Sequence, residues 1–211
     1  MTMRTEHLMI TFVLLFLLLA NNAHCSNSHH NKLLRFQNEV INRRMSRSLT
    51  SPSVKHVSKI KGRVIYPIGF GADPTGATDS TEAILSAVAE AFKVQKVLQM
   101  LPAVNDLGGV VIDFQGGNYN ISKPITFPSI GGGNVVVNSG TLRASPTFPD
   151  DHYLIELPAA AQSSTIIFQD ITFQDILFDS GYHGGGLSII NSARIRITNC
   201  YFLHFTTNGI L

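Results

Sequence analysis

The stretch that decides the fold is an eight-residue block that occurs twice near the C-terminal end of the sequence. Residues 171–178 read Ile-Thr-Phe-Gln-Asp-Ile-Leu-Phe, and residues 195–202 read Ile-Arg-Ile-Thr-Asn-Cys-Tyr-Phe. Apolar residues occupy the same four positions in both blocks, which start 24 residues apart. A polar pair interrupts the alternation each time, Gln174-Asp175 in the first block and Thr198-Asn199 in the second. A weaker copy spans residues 135–142.

Strand-like blocks that repeat with a fixed polar turn indicate a solenoid, because each coil of chain buries its apolar face against the next. Asn and Asp suit the turn, since they tolerate left-handed backbone angles and form local hydrogen bonds. We therefore predict an all-β fold, a right-handed single-stranded parallel β-helix with an N-terminal capping α-helix. The register predicts that Phe173 lies on Ile197 and Phe178 on Phe202. The alternative is a β-sandwich in which the similarity of the blocks is coincidental.

The first 25 residues have the pattern of a secretory signal. Residues 8–20 are a predominantly apolar run behind Arg4, and this run is shorter than the roughly 20 residues that a membrane span needs. Ala23-His24-Cys25 offers small residues before a cleavage point, so we expect cleavage before Ser26. The alternative is an uncleaved membrane anchor. We predict a secreted, extracellular protein without a stable membrane anchor after cleavage, and nucleic acid is not an expected partner.

Residues 26–63 form a basic segment with nine Lys or Arg residues and one acidic residue, Glu39. Low hydrophobicity and like charge disfavour a packed core, so we interpret the segment as a disordered spacer. The alternative is a cationic arm that contacts an acidic polymer. From Val64 onward the balance reverses, with six basic and twelve acidic residues. A site for an acidic ligand in residues 64–211, the predicted folded domain, therefore needs a local Lys or Arg.

An amphipathic helix is predicted near the start of this domain. Asp79 and Glu82 have the spacing of a capping box, and apolar residues then recur at helical spacing, at Ile84, Ala87, Val88, Ala91 and Phe92. We expect this helix to cover the first coil, because an open sheet end recruits other chains. The strands that we predict after it are residues 110–114, 125–127, 153–157, 165–168 and 187–190, with glycine turns at 116–117, 131–133 and 184–186.

A resemblance to the opening motif of the pectate-lyase-like β-helix superfamily is carried by Phe70-Gly71-Ala72-Asp73-Pro74-Thr75-Gly76-Ala77-Thr78-Asp79-Ser80-Thr81-Glu82-Ala83-Ile84. Two further stretches, Gly108-Gly109-Val110-Val111 and Asn118-Tyr119-Asn120-Ile121, resemble its first coils. With the signal and the basic spacer, the chain is most similar to plant polygalacturonases of the QUARTET type. The resemblance implies a cell-wall glycoside hydrolase acting on the α-1,4-galacturonan of pectin. It implies no cofactor, and a monomer at full length.

Hydrolysis with inversion needs two carboxylates about 6.5–9.5 Å apart. Adjacent coils of a β-helix lie about 4.8 Å apart, so such a pair must come from stacked or next-nearest coils. The family's Asn-Thr-Asp, Gly-His-Gly and Arg-Ile-Lys blocks do not occur in the sequence. Arg194-Ile195-Arg196 is similar to the last of these, but it lies in a repeat strand, and we assign it no catalytic role.

The candidate catalytic residues are Asp179, which precedes a glycine-rich loop, and Asp175, whose alignment with Asn199 also fits a structural turn. His183 and His204 are candidate substrate-binding residues. Turn or solvent-facing roles are the alternative for all four. Asn120 begins the sequon Asn120-Ile121-Ser122 and is the predicted glycosylation site. The sequence contains no metal-binding pattern that we identify, although some lyases of the superfamily use Ca²⁺.

Two other functions stay open at this point: a non-catalytic glycan-binding or structural β-helix, and a pectate lyase that works by β-elimination. Cys200 occupies an apolar repeat position, so we expect a buried thiol. Residues 208–211 read as the start of another strand. Because the catalytic blocks are missing, we expect the 211-residue chain to be a truncated form with little or no activity, an exposed pairing edge and a tendency to aggregate.

Overall fold

The structure, a computed structural model, describes residues 62–94, 99–102, 104–159 and 165–211, together with Arg35 and Asn38, which are helical and exposed. Of the two units into which the chain divides, the fold given below belongs to the second, residues 54–211. The predicted signal and nearly all of the predicted spacer lie outside the described residues. In the described ranges, none of the helices has the length and apolar composition that a membrane span requires.

The second unit is built mainly from parallel β-strands, with one α-helix near its start. In chain order its elements are β1 (Val64–Ile65), a 3₁₀ helix (Pro67–Phe70), α1 (Thr81–Ala91), β2 (Gln99–Leu101), β3 (Val104–Asp113), β4 (Asn118–Ile121), β5 (Ile125–Thr126), β6 (Gly132–Ala144), β7 (Tyr153–Leu157), β8 (Phe168–Asp179), β9 (Gly185–Ile189), β10 (Ser192–Ala193), β11 (Arg196–Thr198) and β12 (Tyr201–Leu203). This content confirms the predicted all-β class.

The strands form two sheets, and neither sheet closes on itself. The larger sheet has the order β1-β3-β6-β8-β10, with β4 also paired to β6, β11 and β12 also paired to β8, and β2 paired antiparallel to β3. The smaller sheet has the order β5-β7-β9. All pairings except that of β2 are parallel, so the chain returns in the same direction at each step.

The repeated blocks lie on neighbouring strands in the predicted register. Phe173 pairs with Ile197, and Phe178 pairs with Phe202. The weaker copy, residues 135–142, pairs with residues 171–178 in the same way. The inward apolar residues of β8 are fully buried, whereas their counterparts Ile195, Ile197, Cys200 and Phe202 are half-buried. The last block is therefore less deeply buried than the block before it.

The predicted turn chemistry is also confirmed. Ser139, Asp175 and Asn199, which occupy the same place in the three copies, have φ angles of 62°, 56° and 52°. Left-handed angles are uncommon for residues with a side chain, and Asn and Asp adopt them most readily. The strands bend at these residues, so β6 pairs with β3 before the bend and with β4 after it.

Helix α1 packs its apolar face into the core, as its spacing predicts, and the ring of Phe92 contacts that of Phe127 at 5.2 Å. The predicted capping box is wrong in detail. The N-cap residue is Ser80, and Glu82 pairs with Lys123 at 3.3 Å instead of reaching back to the cap. Asp79 still accepts the backbone N–H of Thr81 at 3.0 Å, one position earlier than predicted.

Two of the predicted glycine turns lie partly inside strands, since Gly132 and Gly133 begin β6 and Gly185 and Gly186 begin β9. Close approach of neighbouring backbone explains the glycines. A Cβ atom at Gly133 would lie 2.3 Å from the carbonyl oxygen of Gln169, and one at Gly186 would lie 2.4 Å from that of Gly209. Side chains at these positions would push the layers apart.

The other predicted strands differ mainly at their ends. Residues 153–157 form a strand as predicted, whereas residues 165–167 do not, and β8 begins only at Phe168. Strand β3 begins at Val104, before the predicted start. Ile210 pairs with Leu187, in agreement with a strand start near the last residues. Cys200 is a free thiol that is half-buried rather than fully buried.

Arg63, which the sequence assigns to the spacer, is part of the folded unit. Its guanidinium donates to the carbonyl oxygens of Glu90, Ala91 and Lys93 at 3.3, 3.1 and 2.9 Å. These are carbonyl groups at the C-terminal end of α1, which lack partners within the helix. A cation is also favoured there by the helix dipole. Arg63 therefore fixes the end of α1 against the first strand.

Candidate functional site

Asp179 lies at the end of β8 and is held by groups from three neighbouring segments. Its Oδ2 accepts a hydrogen bond from Arg143 Nε at 3.1 Å. Its Oδ1 accepts from His204 Nδ1 at 2.8 Å and from the backbone N–H of Gly181 at 3.2 Å. Arg143 on β6 is the Cα partner of Asp179 on one side, and Leu203 on β12 is its partner on the other. The sheet register therefore builds this cluster.

The cluster places a nearly buried carboxylate between two more exposed side chains. The Asp179 side chain is 9% exposed, compared with 49% for Arg143 and 37% for His204. An ionised carboxylate only accepts hydrogen bonds, so the proton of this contact belongs to His204 Nδ1. Nε2 of His204 is then the ring nitrogen that can accept a hydrogen bond or a proton. Asp179 thus orients the imidazole, and the imidazole is the more accessible group.

Tyr182 completes this cluster, which we call the Asp179 site: Arg143, Asp179, Tyr182 and His204. The rings of Tyr182 and His204 lie 4.7 Å apart with their planes inclined by 34°. The backbone N–H of Tyr182 donates to the carbonyl oxygen of His204 at 2.5 Å. Both residues have left-handed backbones, with φ of 68° and 54°. Such angles are uncommon for residues with bulky side chains, and in the described ranges eight other non-glycine residues also adopt them.

Asp175, the other candidate carboxylate, belongs to a turn. It accepts hydrogen bonds from the side-chain amides of Asn199 and Gln174, the second at 3.0 Å. Asp170, which lies earlier on β8, accepts a hydrogen bond from the guanidinium of Arg194. The carboxylates along β8 are therefore each bonded to a cation or an amide. Their arrangement favours a structural role for Asp175 and leaves Asp179 as the better catalytic candidate.

His183 has a different partner from His204. Its Nδ1 lies 2.8 Å from Oδ1 of Asp150, a residue of the loop between β6 and β7. His152, which lies in the same loop as Asp150, pairs with Glu156 at 2.8 Å. The structure therefore joins Asp179 to His204 directly, and it assigns other partners to Asp175 and His183. In the part of the chain that the structure describes, no group of three or more His, Cys, Asp or Glu side chains could hold a metal ion.

Asn120, the predicted glycosylation site, lies on β4 between two charged residues. Its Cα partners are Asp79 on one side and Arg143 on the other. The side chain is half-buried, and its Oδ1 is buried without a hydrogen-bond partner among the described residues. Asn120 is therefore two strands away from Asp179 in the same row of the sheet.

Sequence reasoning missed Arg143, Tyr182 and Asp150. Arg143 was within reach, because it follows the weaker repeat copy at the position that Asp179 occupies after its own copy. Extending the alignment by one residue places a cation opposite this carboxylate. Tyr182 and Asp150 lie in loops without a constant offset, so no repeat signal points to their contacts.

The comparisons with known proteins agree with these features. No protein-family model matches the sequence. The chain is 48% identical over 171 residues to the polygalacturonase QRT3 of Arabidopsis thaliana, an alignment that covers 80% of this chain and 36% of that protein. Among solved structures, ORF18 of Geobacillus virus E2 is similar with a TM-score of 0.53 and 17% identity, over 70% of this chain and 27% of that one. The second likeness concerns the fold alone.

The chain thus spans about a third of the length of the curated relative that it matches. Its matched region includes most of the sequence, and the identity is far above the level of chance similarity. Over these 171 residues the chain is similar to a plant polygalacturonase of the QUARTET type.

Proposed function

We propose that this chain belongs to a secreted, pectin-active glycoside hydrolase that cleaves the α-1,4-galacturonan of the plant cell wall. The observation that carries the proposal is the 48% identity to a polygalacturonase. Water would replace the glycosidic oxygen at the anomeric carbon, with one carboxyl group donating a proton to the leaving oxygen and another activating the water. Pectin or polygalacturonate is the proposed partner, and the full-length protein is proposed to be a monomer.

The proposed architecture is a right-handed parallel β-helix. Parallel pairing of successive strands in two sheets supports it, as do the left-handed turn residues at one place in three successive copies. Crossovers between parallel strands of one sheet are right-handed in nearly all proteins. In this arrangement the ends of successive strands form rows, which can follow an extended polysaccharide.

Within this proposal Asp179 is the catalytic carboxylate, and His204 and His183 bind substrate. The engaged oxygens of Asp179 suit a base or an electrostatic role better than that of a proton donor. The cation that an acidic substrate requires is available, since Arg143 is half-exposed beside Asp179. Asn120 is the proposed glycosylation site, and mass spectrometry of the secreted protein before and after enzymatic deglycosylation tests it.

A non-catalytic glycan-binding role is the second candidate. It is favoured by one observation: on both sides of Asp179 the Cα partners are Arg143 and Leu203, neither of which is a carboxylate. The carboxylate pair that hydrolysis requires is not formed by these strand partners. The low activity expected from the sequence stays a prediction.

Product analysis on polygalacturonate distinguishes the functions. Hydrolysis releases reducing ends without an unsaturated product, and this is the product that we expect, at the low rate predicted for this chain. An unsaturated product that absorbs in the ultraviolet would identify β-elimination and overturn the proposal. Retention on a polygalacturonate column without any product would support the glycan-binding function instead. Enzyme purified from a secreting host should be used, because secretion also tests the predicted cleavage before Ser26.

A further inference from the structure

Asn120 lies on the same face of the larger sheet as Asp179. The Cα partner of Asn120 is Arg143, and the Cα partner of Arg143 on the next strand is Asp179. Residues that pair in register on parallel strands point to one side of a sheet, and neighbouring strands lie about 4.8 Å apart. The Cα atoms of Asn120 and Asp179 are therefore separated by two strand spacings, or about 10 Å.

The side-chain amide of Asn120 is oriented with its oxygen inward and its nitrogen outward. Its Oδ1 is buried, whereas Nδ2, which has no hydrogen-bond partner in the described ranges, is not. The backbone is fixed, because β4 pairs with β6 and the carbonyl oxygen of Asn120 accepts from the N–H of Ser80 at 2.8 Å. A sugar attached to Nδ2 therefore leaves the sheet from a fixed point on its outer face.

The rest of the sequon is engaged by the start of α1 once the chain has folded. The Ser122 hydroxyl, which defines the sequon, donates to Oδ2 of Asp79 at 2.5 Å. The backbone N–H of Ser122 donates to Oγ1 of Thr81, the first residue of α1, at 2.9 Å. Transfer of a glycan therefore has to precede the packing of α1 against β4. Because transfer competes with folding, we expect the secreted protein to contain both glycosylated and unglycosylated molecules.

We propose that an N-linked glycan at Asn120 covers the Asp179 site and restricts the access of a polysaccharide to it. An N-linked glycan is a bulky group that lies on the protein surface. Asn120 and Asp179 belong to one sheet with Arg143 between them, so no loop separates the root of the glycan from the carboxylate. The extent of glycosylation at Asn120 then sets how much of the secreted protein can bind its substrate. The inference rests on the proposed function for the identity of that substrate and for the use of the sequon.

A thiol placed at position 182 measures this covering without any assumption about the substrate. In a Cys200→Ser background, Tyr182→Cys introduces an accessible thiol in the Asp179 site, since Tyr182 is 69% exposed. A host secretion signal in place of residues 1–25 removes Cys25 and delivers the chain to the glycosylation machinery. Lectin chromatography separates the glycosylated from the unglycosylated form, and mass spectrometry locates the glycan.

The measured quantity is the ratio of two alkylation rates, one with a maleimide that carries a long polyethylene glycol chain and one with N-ethylmaleimide. The glycan should lower this ratio about tenfold, because it excludes the polymer but not the small reagent. Trimming the glycan to its first sugar with an endoglycosidase should restore the ratio. The matched control combines Asn120→Gln with Ala193→Thr, which moves the sequon to Asn191. A glycan there should leave the ratio unchanged, because β10 pairs with the start of β8, whereas Asp179 is the last residue of β8.

Binding of polygalacturonate to the two forms of the wild-type chain tests the consequence for access. The unglycosylated form should bind about tenfold more tightly than the glycosylated form. Equal alkylation ratios in the two forms, an equal effect of the glycan at Asn191, or the absence of a glycan from Asn120 would overturn the inference. Equal binding of polygalacturonate by both forms would overturn it as well. A ratio that falls as expected while neither form binds polygalacturonate would reject the proposed function and leave the covering of the site intact.

Discussion

The rings of Phe178 and Phe202 lie parallel on neighbouring strands, with centroids 4.8 Å apart and planes inclined by 10°. The ring separation matches the spacing of paired strands, so the two side chains occupy equivalent positions of successive layers. Phe178 is fully buried and Phe202 is half-buried. The stacked rings therefore connect the fully buried core with β12, a strand of the last layer that the structure describes.

This stack predicts unequal costs for two similar substitutions. Phe178→Ala should lower the free energy of unfolding by about 3–5 kcal/mol, because it leaves a cavity in the core. Phe202→Ala should cost about 1–2 kcal/mol, since part of its surface is already exposed. In urea unfolding, a double-mutant cycle should give a coupling of about 0.5–1.5 kcal/mol. Equal costs for the two variants would show that the rings are not in different environments.

We expect the contact between Arg63 and the C-terminal end of α1 to stabilise the fold. Arg63→Gln should lower the free energy of unfolding by about 1–2 kcal/mol, because the carbonyl groups at the end of α1 lose a charged donor. Arg63→Lys should recover only part of this, since one ammonium group cannot reach three carbonyls. The control is Arg196→Gln on β11, an exposed position with an expected change within about 0.5 kcal/mol. Similar effects of the Arg63 and Arg196 variants would refute the capping role.

We expect the folded protein to lose stability in acid as Asp79 becomes protonated. Partial burial tends to raise the pKa of Asp79, but hydrogen bonds from Ser122 and Thr81 outweigh this and hold the pKa below its ordinary value. The lowered pKa stabilises the fold above the unfolded value of about 4, and the contribution disappears as the pH falls toward the folded pKa. The stability difference between wild type and Asp79→Asn should therefore shrink as the pH falls below about 4.

The matched control for the measurement of stability against pH is Asp151→Asn, because the Asp151 side chain is 87% exposed. Its difference from wild type should change little over the same range of pH. If the Asp79 difference is constant with pH, the carboxylate charge does not contribute, and the hydrogen bonds alone explain the effect.

We expect the thiol of Cys200 to react slowly with alkylating reagents. Burial raises the pKa of its thiol, and the thiolate is the reactive form. In the secreted protein, from which the predicted cleavage removes Cys25, alkylation by iodoacetamide at neutral pH should be slower in the folded protein than in urea. Equal rates would mean that the last layer opens freely in solution.

The repeat made a large part of the fold predictable. A block of alternating apolar residues gives the strand register, the turn positions and the stacking of Phe173 on Ile197, because each depends on a constant offset in sequence. The cap of α1 was misplaced by one residue, since Asp79 and Ser80 are both good capping residues. The glycines at 132–133 and 185–186 allow close packing between layers. The positions of glycines in the sequence do not distinguish this role from that of a turn.

The candidate site was predictable only in part. Asp179 and His204 were named individually from their positions after repeat strands, but their direct contact depends on where the loop after β12 turns. Arg143 lies on the repeat register and could have been found by extending it. The contacts of Tyr182 and of His183 with Asp150 depend on loops that follow no repeat, so only the folded structure gives them.

The most direct test of the central claim is the rate of reducing-end release from polygalacturonate by wild type, Asp179→Asn and Asp151→Asn. The account predicts that wild type releases reducing ends at the low rate expected of this chain, that Asp151→Asn does so equally, and that Asp179→Asn is slower by about 100-fold or more, as for loss of an acid–base group. Equal thermal unfolding of the three proteins would show that they are folded. Release that persists undiminished in Asp179→Asn would contradict the claim that galacturonan is hydrolysed at this carboxylate.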